Sequence, residues 1–463
     1  MIRTLLCLAL CLTAVPALVS AATPNEQTER QSSVAKRTFI LEDIEIHGLE
    51  GTDRAKVLDT LDLDIGETMD QSTLVEAVAA LKAAGLFERV DDYTRPGSER
   101  GRIILVLEIV DRKPRGSDIS MRMGAGNSDN DGWYWIPLQL DFGKVGHENT
   151  NFGARFALGY RFTELSATLR RNFGPRQRSW WGVTAATRNS RRYYVLDGLE
   201  VDHGVGRDFI GLDIGQHLAS RWTLVAQFRK ETATPDPYAR YADTSEFRGV
   251  DDGENIPLLD LPDDIQAVIG RSERLVFDGA LAYDARHQQQ IAFSPTGGLW
   301  AGLRFRSTHE HGTSTPMVSL DVRSYRSMLG GVMSWRARGA VTGDEAPFYD
   351  RLYLGGLYTV RGVPSHGLTE PGGGTWLWNS SLEFRAPLSG DAAKPRLAGS
   401  VFVDVGQSEA AVQPDGRDLA ASLGWGLRWR LFGIILGADL AVPVTGSPVE
   451  ELFHGNMSIG WSF

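Results

Sequence analysis

The sequence predicts a transmembrane all-β fold: a sixteen-stranded β-barrel preceded in the chain by one small α+β domain. Three observations predict it. The chain opens on a short apolar run of the kind that addresses a protein for export. From about residue 116 onward, apolar residues alternate with small or polar ones in segment after segment. Finally, Met457, Ile459, Trp461 and Phe463 alternate with Ser458, Gly460 and Ser462. No stretch beyond the N-terminus reaches the roughly 18 apolar residues of a spanning helix, whereas a membrane barrel is written in short alternating segments.

The opening run justifies the export reading. Arg3 precedes the nearly unbroken apolar segment Leu5 to Leu18, and Val19-Ser20-Ala21 fits small-x-small cleavage. Residues 1–21 therefore read as a signal peptide cleaved after Ala21 or Ala22. Both cysteines, Cys7 and Cys11, lie inside it, so the mature chain is expected to hold no disulfide or thiolate site. Loss of Arg3 would take the formal charge from −10 to −11. A net negative chain without a basic block argues against nucleic acid as partner. As a soluble protein, 463 residues would suggest about three domains, but the 51 glycines and 12 tryptophans are odd for a buried helical enzyme.

Residues 22–37 are polar and read as a linker. Phe39 to Ile46 alternates, with Ile40, Ile44 and Ile46 apolar, and reads as a strand closed by Gly48. Asp53 to Leu61 has helical spacing. Asp70-Gln71-Ser72 caps a second helix whose stripe is Leu74, Val75, Val78 and Leu81, with Gly85 suiting its stop. Strands are expected over about Phe87 to Tyr93 and Arg102 to Val110. This gives a β-α-α-β-β domain over 38–113, with a sheet edge expected near Ile44.

The region 116–463 supplies 348 residues for sixteen strands, which suits spans of about 9–11 residues. The segments begin near 117, 133, 151, 164, 179, 207, 221, 272, 299, 315, 331, 374, 397, 419, 433 and 455. In Phe152 to Phe162 one face carries Phe152, Ala154, Phe156, Leu158, Tyr160 and Phe162, and the other Gly153, Arg155, Ala157, Gly159 and Arg161. A lipid-facing barrel turns such arginines into a wet lumen. The long connections, about 191–206, 232–271 and 344–373, all fall between an odd and an even strand, so they share one end of the barrel. The first strand, Asp118 to Gly124, reads as short, with weak pairing to the last strand expected at the closing seam. The loop 232–271 holds 9 Asp or Glu against 3 Arg, and a short helix near Leu261 to Ile269 is expected to cap the barrel.

Several motifs narrow the reading. Tyr283-Asp284-Ala285-Arg286 is followed by Phe293-Ser294-Pro295-Thr296-Gly297-Gly298. Tyr358-Thr359-Val360-Arg361-Gly362-Val363 lies in the connection before the twelfth strand. Phe402-Val403-Asp404-Val405-Gly406 lies in the thirteenth and Gly424-Trp425-Gly426-Leu427-Arg428 in the fourteenth. With Ala84-Gly85-Leu86-Phe87 after the second helix, they resemble the superfamily of POTRA-bearing outer-membrane assembly and translocation barrels. BamA, TamA and the two-partner secretion transporters belong to it; this chain is similar to a short member with one POTRA domain. Two departures are visible: Ser294 stands between Phe293 and Pro295, and Val363 replaces an aromatic residue.

The resemblance implies a turn motif of Asp284, Arg286, Pro295 and Gly298. It also implies a loop, carrying Val360, Arg361, Gly362 and Val363, folded into the barrel. Alternation turns Phe402, Asp404, Gly406, Gly424, Gly426 and Arg428 into the lumen, together with Glu383 and Arg385 of the twelfth strand. A buried loop needs an anchor, and an arginine fork bonds a carboxylate with two donors. Arg361 is therefore expected to reach Asp404, with Glu383 beside it. Met457, Ile459, Trp461 and Phe463 resemble the C-terminal signature of outer-membrane barrels.

The resemblance further implies a Gram-negative outer-membrane protein with its POTRA domain in the periplasm, set in outer-membrane lipid and itself inserted by the barrel assembly machinery. It would insert or translocate an unfolded client protein held by strand addition on the POTRA edge. The alternative is a channel or lipid-remodelling protein with no protein client. No enzyme chemistry is expected. Asn127-Ser128-Asp129-Asn130-Asp131-Gly132 resembles a calcium loop, but Leu138 stands where its glutamate belongs. Gly372-Gly373-Gly374 lacks the phosphate-loop lysine, Ser365-His366 lacks a nucleophile-elbow setting, and the nine histidines show no metal spacing. No cofactor or metal is expected.

Overall fold

A computed structural model describes residues 38–463 apart from short stretches, chiefly 50–53, 84–86, 112–118, 129–131, 146–148, 175–177, 242–254, 410–418 and 446–453. The leader, the linker, Gly85 and the middle of the calcium-like loop lie outside the described residues. The chain divides into two compact units.

The first unit holds β1 (Thr38–His47), α1 (Arg54–Leu61), β2 (Thr68–Asp70), α2 (Gln71–Ala83), β3 (Phe87–Pro96) and β4 (Arg102–Asp111), with sheet order β2-β1-β4-β3. Its core joins Leu41, Ile44, Val57, Leu81, Leu105 and Leu107. Asp70 caps α2: its Oδ1 accepts the Thr73 backbone amide and hydroxyl, both at 3.0 Å. The buried stripe of α2 is Leu74, Ala77, Val78 and Leu81, while Val75 is 59% exposed. Ala77 completes the i, i+3, i+4, i+7 face, and Val75 falls off it. A bulge between Leu41 and Asp43 shifts β1, so Leu41 rather than Ile40 is fully buried. Gly48 takes φ 83°, and a Cβ there would lie 2.3 Å from the Ile109 carbonyl oxygen. The three-residue β2 carried no alternation long enough to read.

The second unit is a closed antiparallel barrel. Its sixteen spanning strands are β5 (Ile119–Ser128), β6 (Gly132–Phe142), β7 (Thr150–Gly159), β8 (Phe162–Phe173), β9 (Ser179–Leu196), β10 (Leu199–Ala219), β11 (Trp222–Pro235), β14 (Ser272–Asp284), β17 (Gly297–Glu310), β18 (Thr313–Met328), β19 (Gly331–Thr342), β20 (Trp376–Gly390), β21 (Pro395–Ser408), β22 (Ala420–Leu431), β23 (Ile434–Pro443) and β24 (His454–Ile459). Alternation explains each of them. On β10, Ile210, Leu212 and Ile214 face outward, and on β22 Trp425, Leu427 and Trp429 do so. Between them Gly426 and Arg428 face inward and are buried. No helix among the described residues is long and apolar enough to cross a membrane.

Three details depart from the sequence reading. The connection expected over 191–206 is a hairpin instead. β9 and β10 run 18 and 21 residues and turn at Asp197-Gly198, both left-handed at φ 52° and 80°. Asp-Gly is the primed-turn pair, and it was the signal to read there. Among the described residues β5 runs ten residues through Gly124 and Gly126, while β24 has six, so the shorter described partner of the seam is the last strand. Phe162 begins β8 rather than ending β7.

The barrel's near end is the one where its chain enters and leaves. At the far end β9 and β10 project beyond their neighbours. There β12 (Ala239–Tyr241) pairs with β10 and with β13 (Asn255–Ile256), and the four-residue helix α3 (Asp263–Gln266) follows. Ile265 of α3 packs with Leu261, Tyr194, Val201, Phe348 and Tyr349 in one apolar cluster, the cap expected near 261–269. The remaining two strands, β15 (Gln290–Ile291) and β16 (Ser294–Pro295), form a small hairpin between β14 and β17.

Candidate functional site: the inner loop and its anchor

The connection from β19 to β20, residues 343–375, is buried over most of its length. Its tip carries Arg361, itself only 1% exposed. Arg361 Nε donates to Asp404 Oδ2 at 2.7 Å and Nη2 donates to Oδ1 at 2.9 Å, while its backbone amide donates to Oδ2 at 3.1 Å. Nη1 donates to Glu383 Oε2 at 3.1 Å and Nη2 to Ser381 Oγ at 3.1 Å. The same guanidinium lies over the Phe402 ring, 3.3 Å from its centroid. A planar ion held edge-on by carboxylates and face-on by a ring is fixed in every direction.

The strand register explains why these residues meet. Ser381 stands opposite Asp404, and Glu383 opposite Phe402. Phe402 stands opposite Gly424, and Ser400 opposite Gly426. Gly426 in turn faces Asp439. The glycines make the room. A Cβ on Gly426 would sit 2.0 Å from Asp439 Oδ1, and one on Gly406 would sit 3.0 Å from Leu354 and Val360 of the loop. Gly362, at φ 91°, lets the tip turn against Ala441. Val363 packs with Val360, Leu354, Leu368 and Ala420 in a small aliphatic cluster, filling the place expected for an aromatic side chain.

Below the anchor, toward the near end, lies a second group. Arg428 makes two bonds to Asp439, at 2.9 and 2.7 Å. Arg385 Nε lies 3.4 Å from Glu383 Oε1, and Nη1 donates to Ser294 Oγ at 2.9 Å. Ser294, the residue inserted in the turn motif, therefore ties that turn to the lumen wall. In the same turn Arg286 holds Asp284 through Nε at 2.9 Å and Nη2 at 2.7 Å. Gly298 has φ 99°, where a Cβ would meet the Ala285 carbonyl oxygen at 2.2 Å. Pro295 belongs to β16, paired to Gln290 across a two-residue turn of Ala292 and Phe293, both left-handed.

The C-terminal residues differ from their expected alternation. Met457 is 76% exposed on the outer face, but β24 stops at Ile459 and Gly460 turns at φ 73°. Trp461 then stacks between two cations: Arg428 lies 4.4 Å and Arg385 4.6 Å from its ring centroid. Arg385 is also 4.6 Å from the Phe463 ring. Arg428 Nε donates to the Gly460 carbonyl at 2.7 Å, and Trp461 Nε1 donates to that of Ala292 at 2.9 Å. Trp461 and Phe463 thus leave the strand for the inside of the barrel, where two arginines outweigh a continued β-ladder.

Asp439 and Ser381 escaped the sequence reading, and Ser294 entered it only as an insertion in the turn motif. Asp439 was open to it, since a lone carboxylate within Ile434 to Pro443 alternates inward by the same rule that placed Asp404. Among the described residues no group of His, Cys, Asp and Glu is arranged to hold a metal.

A sixteen-stranded barrel with its own loop clasped inside, joined in one chain to a small domain of two helices on a sheet, defines an outer-membrane barrel of the POTRA-bearing class. The Omp85 superfamily domain matches residues 136–463, and the chain belongs to that superfamily. Among solved structures it is similar to BamA from Haemophilus ducreyi lacking POTRA domains 1–3, at 16% identity and TM-score 0.57, over 90% of this chain and 84% of that one. CdiB from Acinetobacter baumannii shares 14% identity over 91% of this chain and 74% of its own, with TM-score 0.52. CdiB from Escherichia coli shares 12% identity over 91% and 75%, also with TM-score 0.52. No curated protein matches the chain.

Proposed function

We propose that the protein inserts or translocates client proteins at the bacterial outer membrane, with its POTRA-like domain in the periplasm, and catalyses no reaction. The observation that carries this reading is the clasped inner loop. A channel needs an open bore, whereas here residues 343–375 fill lumen space and are held there by Arg361. A barrel closed by its own loop suits a machine that opens for a substrate. The seam offers a second place to open, because among the described residues β24 brings only the six of His454–Ile459 to β5.

The client would dock by strand addition on the small domain. The side chain of Ile44 lies in the core, so the residue cannot present itself to a client. The outer rim of β1 is also occupied by its own neighbours: Asp43 Oδ1 accepts the Ile44 amide at 2.7 Å, and Arg54 Nη2 donates to the Ile44 carbonyl at 2.9 Å. The other sheet edge is β3, where Tyr93 is 50% exposed. A photoreactive residue at Tyr93 in living cells should capture an exported or outer-membrane protein. Purified protein in liposomes should also speed insertion of a test barrel. Capture of lipid alone, with no acceleration for any client, would replace this reading with the lipid-remodelling one.

A further inference from the structure

The lumen carries charge the chain as a whole does not. The protein is acidic, at −10. Yet a cavity of about 350 Å³, between the inner loop and the wall formed by β8 to β11 and β17 to β20, is lined by ten arginines and three carboxylates. Arg274, Asp202 and Asp278 join the network through ion pairs to lining residues. Among the described residues of that lining, arginines outnumber carboxylates.

The ion pairs show how thinly those carboxylates are spread. Glu231 is shared by Arg207, Arg229 and Arg274 at 3.5, 2.8 and 2.5 Å. Asp278 is shared by Arg229, Arg304 and Arg306 at 2.9, 2.9 and 3.0 Å. Asp350 of the inner loop takes Arg207 and Arg274. Five arginines thus divide three carboxylates. Glu231 and Arg274 are almost wholly buried, and three guanidinium groups crowd onto the one Glu231 carboxylate, a gathering of like charge that a further anion would relieve. Guanidinium forks bond phosphate oxygens in pairs, and the volume is that of a small-molecule site.

We infer that this cavity binds a multivalent oxyanion of the phosphate class, either a lipid headgroup or a soluble phosphate compound. The site is separate from the Arg361 anchor and goes beyond the client-handling role. The anion would sit against the inner loop through the Asp350 arm of the network, so that binding and loop retention are coupled.

The test is calorimetric titration of the full-length protein in detergent with inorganic pyrophosphate, at fixed ionic strength. One site per barrel is expected. The double variant Arg188→Gln/Arg338→Gln should bind at least tenfold more weakly. Arg271→Gln, at an exposed loop position, should bind like the parent. Compact migration of unboiled samples in gels verifies folding, and Arg338→Gln alone serves if the double variant does not fold. Absence of binding, several weak equivalent sites, or equal affinity in the folded variants would overturn the proposal. Repeating the titration in phosphatidylcholine and phosphatidylglycerol liposomes separates the sources. Lower pyrophosphate affinity in the anionic lipid assigns a headgroup, and unchanged affinity a soluble phosphate; either supports the site. Binding of a ten-residue glutamate peptide but not of pyrophosphate would mean an acidic protein segment instead, and would overturn the phosphate assignment.

Discussion

The ring of Phe402 lies across Gly424, so close that a Cβ on the glycine would sit 2.3 Å from Cζ of the ring. On the other side the Leu440 carbonyl oxygen would be 2.5 Å away, and backbone cannot step aside. Because Arg361 rests on that ring, Gly424 sets the height at which the inner loop docks. Gly424→Ala should cost about 1–3 kcal/mol by overpacking and should raise protease cleavage within 343–375. Gly339→Ala, which meets nothing within 4 Å, is the matched control. Equal melting temperatures for the two variants would contradict this account.

Removing the anchor itself should do more. Arg361→Ala leaves Asp404 and Glu383 buried without their shared cation, and breaking such a pair costs about 3–5 kcal/mol. Arg361→Lys should recover only part of this, since one ammonium cannot serve Asp404, Glu383 and Ser381 together. The double variant Arg361→Ala/Asp404→Ala should be less unstable than the sum of its single changes. Thermal unfolding in detergent measures the parent, Arg361→Lys, Arg361→Ala, Asp404→Ala and the double variant, and strict additivity would show that the pair is not coupled.

The β9–β10 hairpin depends on its turn. Gly198 takes φ 80°, a conformation that costs an L-residue about 1–2 kcal/mol. Gly198→Ala should loosen the far-end cluster of Tyr194, Val201 and Ile265 while leaving the anchor intact. Hydrogen exchange should rise at 190–206 and stay unchanged at 381–404; a rise at both places would mean the two regions unfold together.

Acid should weaken the small domain through Glu42. The Ser98 hydroxyl, at 2.8 Å, and then the Ser98 amide, at 2.9 Å, hold its carboxyl below the usual glutamate range. A depressed folded value means the contribution is complete above the unfolded value of about 4.3 and disappears as pH falls through the folded one. Exchange protection of β1 and β4 should therefore drop on acidification. Glu42→Gln should already be weaker at neutral pH and should lose that part of the slope. Parallel pH profiles for parent and variant would rule this out.

Much of the fold was legible because a barrel repeats one rule. Period-two alternation located all sixteen spanning strands and turned Asp404, Glu383, Arg385 and Arg428 inward. The rule weakened wherever local chemistry overrides period. Asp197-Gly198 looked like part of a long polar loop, since Arg191 to Arg207 mixes charge with apolar residues on a hairpin partly capped by its own cluster. Leu41 displaced Ile40 because one bulge inverts every later side chain. The arginine network was hidden because its members come from β9, β10, β11, β14, β17, β19 and a loop, and lumen neighbours follow from barrel curvature rather than sequence spacing.

The inward turn of the last residues gives the final prediction. Trp461 offers its ring to Arg385 and Arg428 and its Nε1 to Ala292, so Trp461→Ala removes two cation–π contacts and one hydrogen bond. At about 0.5–2 kcal/mol for each cation–π contact and about 1 kcal/mol for the bond, the loss should be about 2–5 kcal/mol. Trp461→Phe keeps a ring and loses the donor, so it should fall between. A cysteine at Met457 should react readily with a membrane-embedded thiol reagent in every variant, because that side chain faces outward. A cysteine at Phe463 should be protected in the parent and exposed by Trp461→Ala. If Phe463→Cys reacts as fast as Met457→Cys in the otherwise unaltered barrel, the tail runs on along the wall as a strand, and the arginine cradle does not hold it.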